Sequence, residues 1–149
     1  MKTFDLVVHT PKNLQEGGDE FLEKFTAIQA LIKFDSIAWR QLLVRQLQFN
    51  SENASFTITD LQSQQSLRFT LNAFSKLDDL EFKIESDVAI IVPQKDVFGL
   101  ITRKTKDYIF FKKLDFATAR QYLLCFLNAE LQQLEQFYKD SQSKLALHL

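Results

Sequence analysis

Leu67-Arg68-Phe69-Thr70-Leu71-Asn72-Ala73 and Leu80-Glu81-Phe82-Lys83-Ile84-Glu85 each alternate apolar and polar residues without interruption. A β-strand turns successive side chains to opposite faces, so each segment makes a strand with one dry and one wet face, the antiparallel pattern. Just upstream, Phe56 and Ile58 alternate with Ser55, Thr57 and Thr59, and residues 60–66 form a polar loop. Downstream, residues 88–92 are apolar on both faces and stop at Pro93, as a more deeply buried strand does. Residues 97–102 and 108–114 then flank a polar turn, Arg103-Lys104-Thr105-Lys106-Asp107. This is a meander of six strands, and the β-branched stretch at residues 4–9, ended by Thr10-Pro11, allows a seventh.

Helical periodicity lies on either side of the strands. Asp19, Glu20 and Glu23 crowd a first turn after Gly17-Gly18, and Lys33 closes the last, each sign matching its end of the helix dipole. Phe21, Phe25, Ile28 and Ile32 share one helical face, flanked by Leu22 and Leu31. Asp35-Ser36 suit the cap of a second helix with Trp39, Leu42, Leu43 and Leu47 opposite Arg40, Gln41, Arg45 and Gln48. Residues 44–49, at the end of this helix, also read as a strand. Asp115 caps a last helix reaching residue 139 or beyond, in which Leu124, Leu127, Leu131, Leu134 and Tyr138 keep a 3-4-3-4 spacing and Leu123 and Phe126 widen the stripe. Some 25 residues at 1.5 Å each make a rod of about 37 Å. The expected fold is therefore a single α+β domain over residues 1–149. An antiparallel meander packs against a long C-terminal helix, with two helices near the N-terminus.

This element order, strand, two helices, antiparallel strands and long helix, resembles the helix-grip fold of the START and Bet v 1-like lipid and ligand carriers. The resemblance spans the whole chain and consists of element order alone. It implies an apolar cavity between sheet and helix and carries over no functional residue.

Bulk composition narrows the function classes. At 46% hydrophobic and 25% charged, 149 residues suit one globular domain and not a disordered chain. Fifteen Phe point to a thick core, or to a core plus an apolar binding surface. A net charge of −1 removes the simplest electrostatic case for nucleic acid. The only cysteine, Cys125, permits no intramolecular disulfide and no Cys-based metal site. The first residues carry one Lys and no long apolar run, unlike a secretory signal, and no window suits a membrane span. The expectation is a soluble, untargeted chain, cytoplasmic if bacterial.

Motifs for chemistry are sparse. Phosphate-binding Gly loops, nucleophile elbows and zinc-protease helices are all missing from the sequence, which has only three glycines. His9 and His148 lie at opposite ends, and no neighbour in sequence offers His9 a partner. Cys125, between Leu124 and Phe126, reads as an inert core thiol. Glu16, Asp19, Glu20 and Glu23 are explained by a helix start, while Asp78, Asp79, Glu81, Glu85 and Asp87 form a second acidic zone. No catalytic residue, cofactor or metal ligand is expected.

Opposed to that zone are Arg103, Lys104, Lys106, Lys112 and Lys113, interrupted only by Asp107 and interleaved with Tyr108, Phe110 and Phe111. Strict alternation puts Tyr108, Phe110 and Lys112 on one face, with Ile109, Phe111 and Lys113 on the other. Neither face is then a purely basic stacking platform, which argues for protein docking over nucleic acid. Leu145, in an apolar tail, continues the register of the last helix, and a homodimer through that helix would hide an overhanging stripe. The function expected is a non-catalytic protein-binding module such as an adaptor, inhibitor or immunity-type protein. The alternative is a carrier of a small apolar ligand between sheet and C-terminal helix. Neither reading calls for a membrane.

Overall fold

Alternation resolves into a six-stranded antiparallel sheet of order β2-β1-β3-β4-β5-β6, covered on one face by helices. The elements are β1 (Phe4–Thr10), β2 (Gly18–Phe25), α1 (Ala27–Ser36), α2 (Trp39–Gln48), β3 (Ser55–Asp60), β4 (Ser66–Leu71), β5 (Glu81–Lys95), β6 (Thr102–Asp115), α3 (Phe116–Leu127) and α4 (Leu131–Leu147). The structure, a computed structural model, describes residues 2–12, 17–49, 52–95 and 102–147, with the backbone alone at 92–95, 102–105 and 144–147. The class is α+β, as the alternation requires. From β3 to β6 the strands form a meander, and β1 enters between β2 and β3. Among the described residues no helix is long and apolar enough to cross a membrane.

The N-terminal half departs from the periodic reading. Residues 19–25 are not the start of a helix but the strand β2, which returns along β1 with Leu6 opposite Leu22 and Val7 opposite Phe21. Gly17 enables the return. Its φ is +98°, and a Cβ there would stand 2.3 Å from the Pro11 carbonyl oxygen, so only glycine fits. Lys24, at φ +55°, forms a bulge and donates its N–H to Asp5 Oδ1 at 3.0 Å. The helix begins only after Thr26, where a capping box closes: Gln29 N–H donates to Thr26 Oγ1 at 3.2 Å, and Thr26 N–H to Gln29 Oε1 at 2.9 Å. The supposed buried face therefore spans two elements. Phe21, Ile28 and Ile32 are exposed at 68%, 72% and 62%, and α1 instead buries Ala30 and Phe34.

Asp35 and Ser36 end α1 rather than capping the next helix, and α2 starts after Ala38 with no side-chain cap. It continues to Gln48 and closes with the Phe49 N–H donating to the Arg45 carbonyl, so residues 44–48 are helical. Trp39, Leu42 and Leu43 are buried as expected, but Leu47 is exposed and Gln46 takes its place. The Gln46 amide accepts from Ala54 N–H at 2.8 Å and donates to the Leu71 carbonyl at 3.3 Å, latching α2 to the ends of β3 and β4.

Two bulges change the register of the long β5–β6 pair. The strands expected at 80–85 and 88–92 are one strand, β5, which starts at Glu81 and holds two extra residues between the pairs Glu85–Phe110 and Ala89–Tyr108. Between Phe82–Leu114 and Ile84–Phe111 the extra residue is on β6, and Lys112 and Lys113 both face solvent in consequence. The expected turn at 103–107 is strand, with Arg103 opposite Gln94. The strand expected at 97–102 lies outside the described residues except for Thr102.

The single C-terminal rod is two helices. Asp115 does cap α3, accepting from Thr118 N–H at 2.8 Å. After Leu127 the Ala129 N–H bonds to Phe126 O at 3.2 Å and the Glu130 N–H to Cys125 O at 2.8 Å, a Schellman ending with Ala129 at φ +58°. The heptad spacing of the sequence continues across this break, and no glycine marks the turn. Leu123, Phe126, Leu127, Leu134 and Tyr138 are buried against the protein's own sheet, and the side chain of Leu145 lies outside the described residues.

Phe34 is the centre of the core. Its ring meets Phe56, Phe69 and Phe82 on three strands at 5.2, 5.3 and 6.4 Å, and Trp39 and Phe116 at 5.6 Å each. Phe34→Ala is expected to lower unfolding free energy by about 3–5 kcal/mol, and Ile28→Ala by less than about 0.5 kcal/mol. Urea denaturation checks both, and equal costs would mean that α1 packs by its other face. Ala129→Gly relieves a left-handed alanine and is expected to stabilise the fold by about 0.5–1 kcal/mol, whereas a continuous rod would be destabilised.

Candidate functional site

The ends of three elements converge beside the Phe34 cluster. The α1–α2 junction contributes Asp35, Ile37 and Trp39, the start of α3 contributes Asp115 and Phe116, and the β4–β5 loop contributes Asp78, Asp79 and Leu80. Between them lies an open groove of about 620 Å³. Trp39 is buried on its lining, standing perpendicular to Phe82 at 5.0 Å, and its indole Nε1 has no hydrogen-bond acceptor among the described residues. Phe116 is stacked on Phe34.

Four carboxylates line the groove, and their commitments differ. Asp35 is held by Arg120 of α3 through Nε and Nη2, at 2.9 and 3.0 Å, which fastens α1 to α3 and raises the guanidinium's pKa. Asp115 is held below the usual carboxylate range by the hydroxyl and N–H of Thr118. Asp78 and Asp79 are exposed and form no ion pair among the described residues. Arg40 is the only cation among the described residues lining the groove. The site is thus equipped for charge recognition over an apolar base.

Beside it the β4–β5 loop is tightly organised. Asn72 N–H donates to Glu81 O at 2.9 Å, and Ser75 N–H to Asn72 O at 3.1 Å. Ser75 Oγ lies 2.7 Å from Asn72 O and accepts from Glu81 N–H at 2.9 Å, while Lys76 and Asp79 exchange backbone bonds of 3.2 and 3.0 Å. The Asn72 amide also donates to Lys112 O at 3.3 Å. This scaffold holds Phe74 outward, 93% exposed, with Leu77 exposed nearby in the same loop. Strand alternation and helical periodicity mark neither residue. Their signal is two large apolar residues within a turn-rich stretch, outside the alternation of either neighbouring strand.

The basic residues lie along the edge strand β6 rather than around a turn. From Arg103 to Lys113 they span about 30 Å at ~3.3 Å per residue. Lys106 sits 5.6 Å from the Tyr108 ring, Lys113 pairs with Glu81 at 3.3 Å, and Lys112 is exposed. The side chains of Arg103 and Lys104 lie outside the described residues. Asp107 accepts a bond from Tyr138 Oη at 2.5 Å, which with burial pushes the phenol up to about 12. Ile109 and Phe111 are buried and Tyr108, Phe110 and Lys112 face solvent, as alternation requires, while the β6 bulge brings Lys113 to the solvent side with them. The equal division of rings and cations between two faces is therefore corrected.

His9 has partners that the sequence order concealed. Strand pairing brings Asp19 Oδ1 to 2.5 Å from Nδ1, and Glu52 Oε2 stands 3.0 Å from Nε2, out of line for a hydrogen bond. Cys125 is buried, and burial together with nearby Glu130 pushes its thiol pKa up. No group of side chains suited to a metal ion occurs among the described residues. No protein-family model, curated protein or solved structure matches the chain.

Asp115 links the groove wall to stability. Its carboxyl is depressed below the ordinary 3.8, so its contribution is present above that pH and is lost as pH falls through the lower, folded value. Asp115→Ala is expected to cost about 0.5–2 kcal/mol at neutral pH, the range for loss of an N-cap. Denaturation at pH 7 and pH 2 should show the difference from wild type shrinking in acid. A difference independent of pH would mean that the carboxylate charge plays no part.

Proposed function

We propose that the protein is a binding module for another protein and acts through the β4–β5 loop and the groove beside it. Phe74 carries this reading: a large apolar side chain almost wholly in solvent, on a loop whose backbone is already fixed. Fixed aromatic anchors lose little conformational entropy on binding and are enriched among the residues that dominate interface energies. Leu77 extends the apolar contact, and the groove offers a partner segment a concave continuation. The alternative, a carrier with ligand between sheet and C-terminal helix, needs volume where Phe126 and Tyr122 of α3 already meet Phe4 and Phe111 of the sheet ring to ring.

Selection from a random peptide display library, followed by titration of the selected peptides, tests the proposal. Phe74→Ser is expected to weaken their binding by about tenfold or more, at an unchanged melting temperature, because it removes an anchor and no core contact. Selected peptides that bind Phe74→Ser as tightly as wild type would move the docking face elsewhere.

A further inference from the structure

We infer that the groove receives a cationic side chain, arginine or lysine, from the same partner segment whose apolar residue meets Phe74. The inference rests on the protein-binding reading above and names the chemistry of the partner. Two of the groove's carboxylates serve the fold itself, Asp35 through Arg120 and Asp115 as the cap of α3. Among the described residues, the carboxylates of Asp78 and Asp79 have no such use. They sit on the hydrogen-bonded loop that presents Phe74, so their charge is positioned relative to the apolar anchor before any partner arrives. The groove's volume of about 620 Å³ is ample for one long side chain. Its apolar lining at Ile37, Leu80 and Phe116 suits the methylene stem of such a residue while the carboxylates meet the charged head. Arg40, also on the groove lining, offsets part of the negative charge. An acidic segment finds Asp78 and Asp79 opposed to it, and like charges across an interface select against wrong partners.

Short Gly-Ser peptides carrying one Phe, flanked by Arg, by the uncharged isostere citrulline, or by Glu, separate the outcomes by fluorescence anisotropy. The Arg peptide is expected to bind at least about fivefold tighter than its citrulline twin, with Glu weakest and the preference shrinking as salt rises. The double variant Asp78→Asn/Asp79→Asn should erase the preference of the Arg peptide over its citrulline twin at an unchanged melting temperature. Equal binding of all three peptides, abolished by Phe74→Ser, would overturn the cationic specificity and leave the protein-binding reading intact. Failure of every peptide to bind wild type would overturn both.

Discussion

The contact of the Phe34 ring with three strands and two helix starts is the constraint on which the rest of the structure depends. A sheet with one dry face must be covered, and here the cover is assembled from four short helices rather than a single rod. Phe34 projects from the last full turn of α1 into the middle of the dry face, and Trp39 and Phe116 close on it from α2 and α3. The chain therefore turns sharply after α1, and α3 begins beside that turn. The Asp35–Arg120 pair and the Asp115 cap secure the same corner from outside.

That corner is also where the groove lies, and the two facts have one cause. Helix ends meeting around a bulky ring cluster cannot fill the surface above it as parallel helices would. They leave a depression lined by first-turn and last-turn residues, which are rich in carboxylates because aspartate suits caps and turns. The β4–β5 loop borders the depression because Leu80 and Phe82 lead straight from it into the core. Asn72 and Ser75 supply hydrogen bonds that hold the loop, and Leu80 is its apolar member packed against the core. Phe74 and Leu77, on the same loop, stay in solvent.

Periodicity was a good guide where one period ran through one element. The strands β3 and β4 and the first half of β5 bury Phe56, Ile58, Leu67, Phe69, Leu71, Phe82 and Ile84, as alternation requires. It misled where a helical spacing crossed a junction. Phe21 and Phe25 lie on β2, and Ile28 and Ile32 on α1, yet their separations match a single helix. The heptad from Leu124 to Tyr138 likewise ran across the Ala129 turn. In both places the break depends on positive-φ residues other than glycine, Lys24 and Ala129, which no composition rule marks. The bulge at Lys112 and Lys113 reassigned a face for the same kind of reason, since one inserted residue inverts every parity beyond it.

The sequence by itself determined the class of the fold, the dry face of the central strands, the cap at Asp115 and the burial of Cys125, because each follows from local pattern and side-chain chemistry. Tertiary structure alone decided which face of α1 is inside, where the C-terminal helix breaks, which carboxylates are committed and which are not, and that Phe74 stands in solvent. Those outcomes depend on partners distant in the chain: Arg120 for Asp35, Asp19 and Glu52 for His9, three strands for Phe34. Pairing at long range is set by how elements pack against one another, and linear spacing carries no record of it.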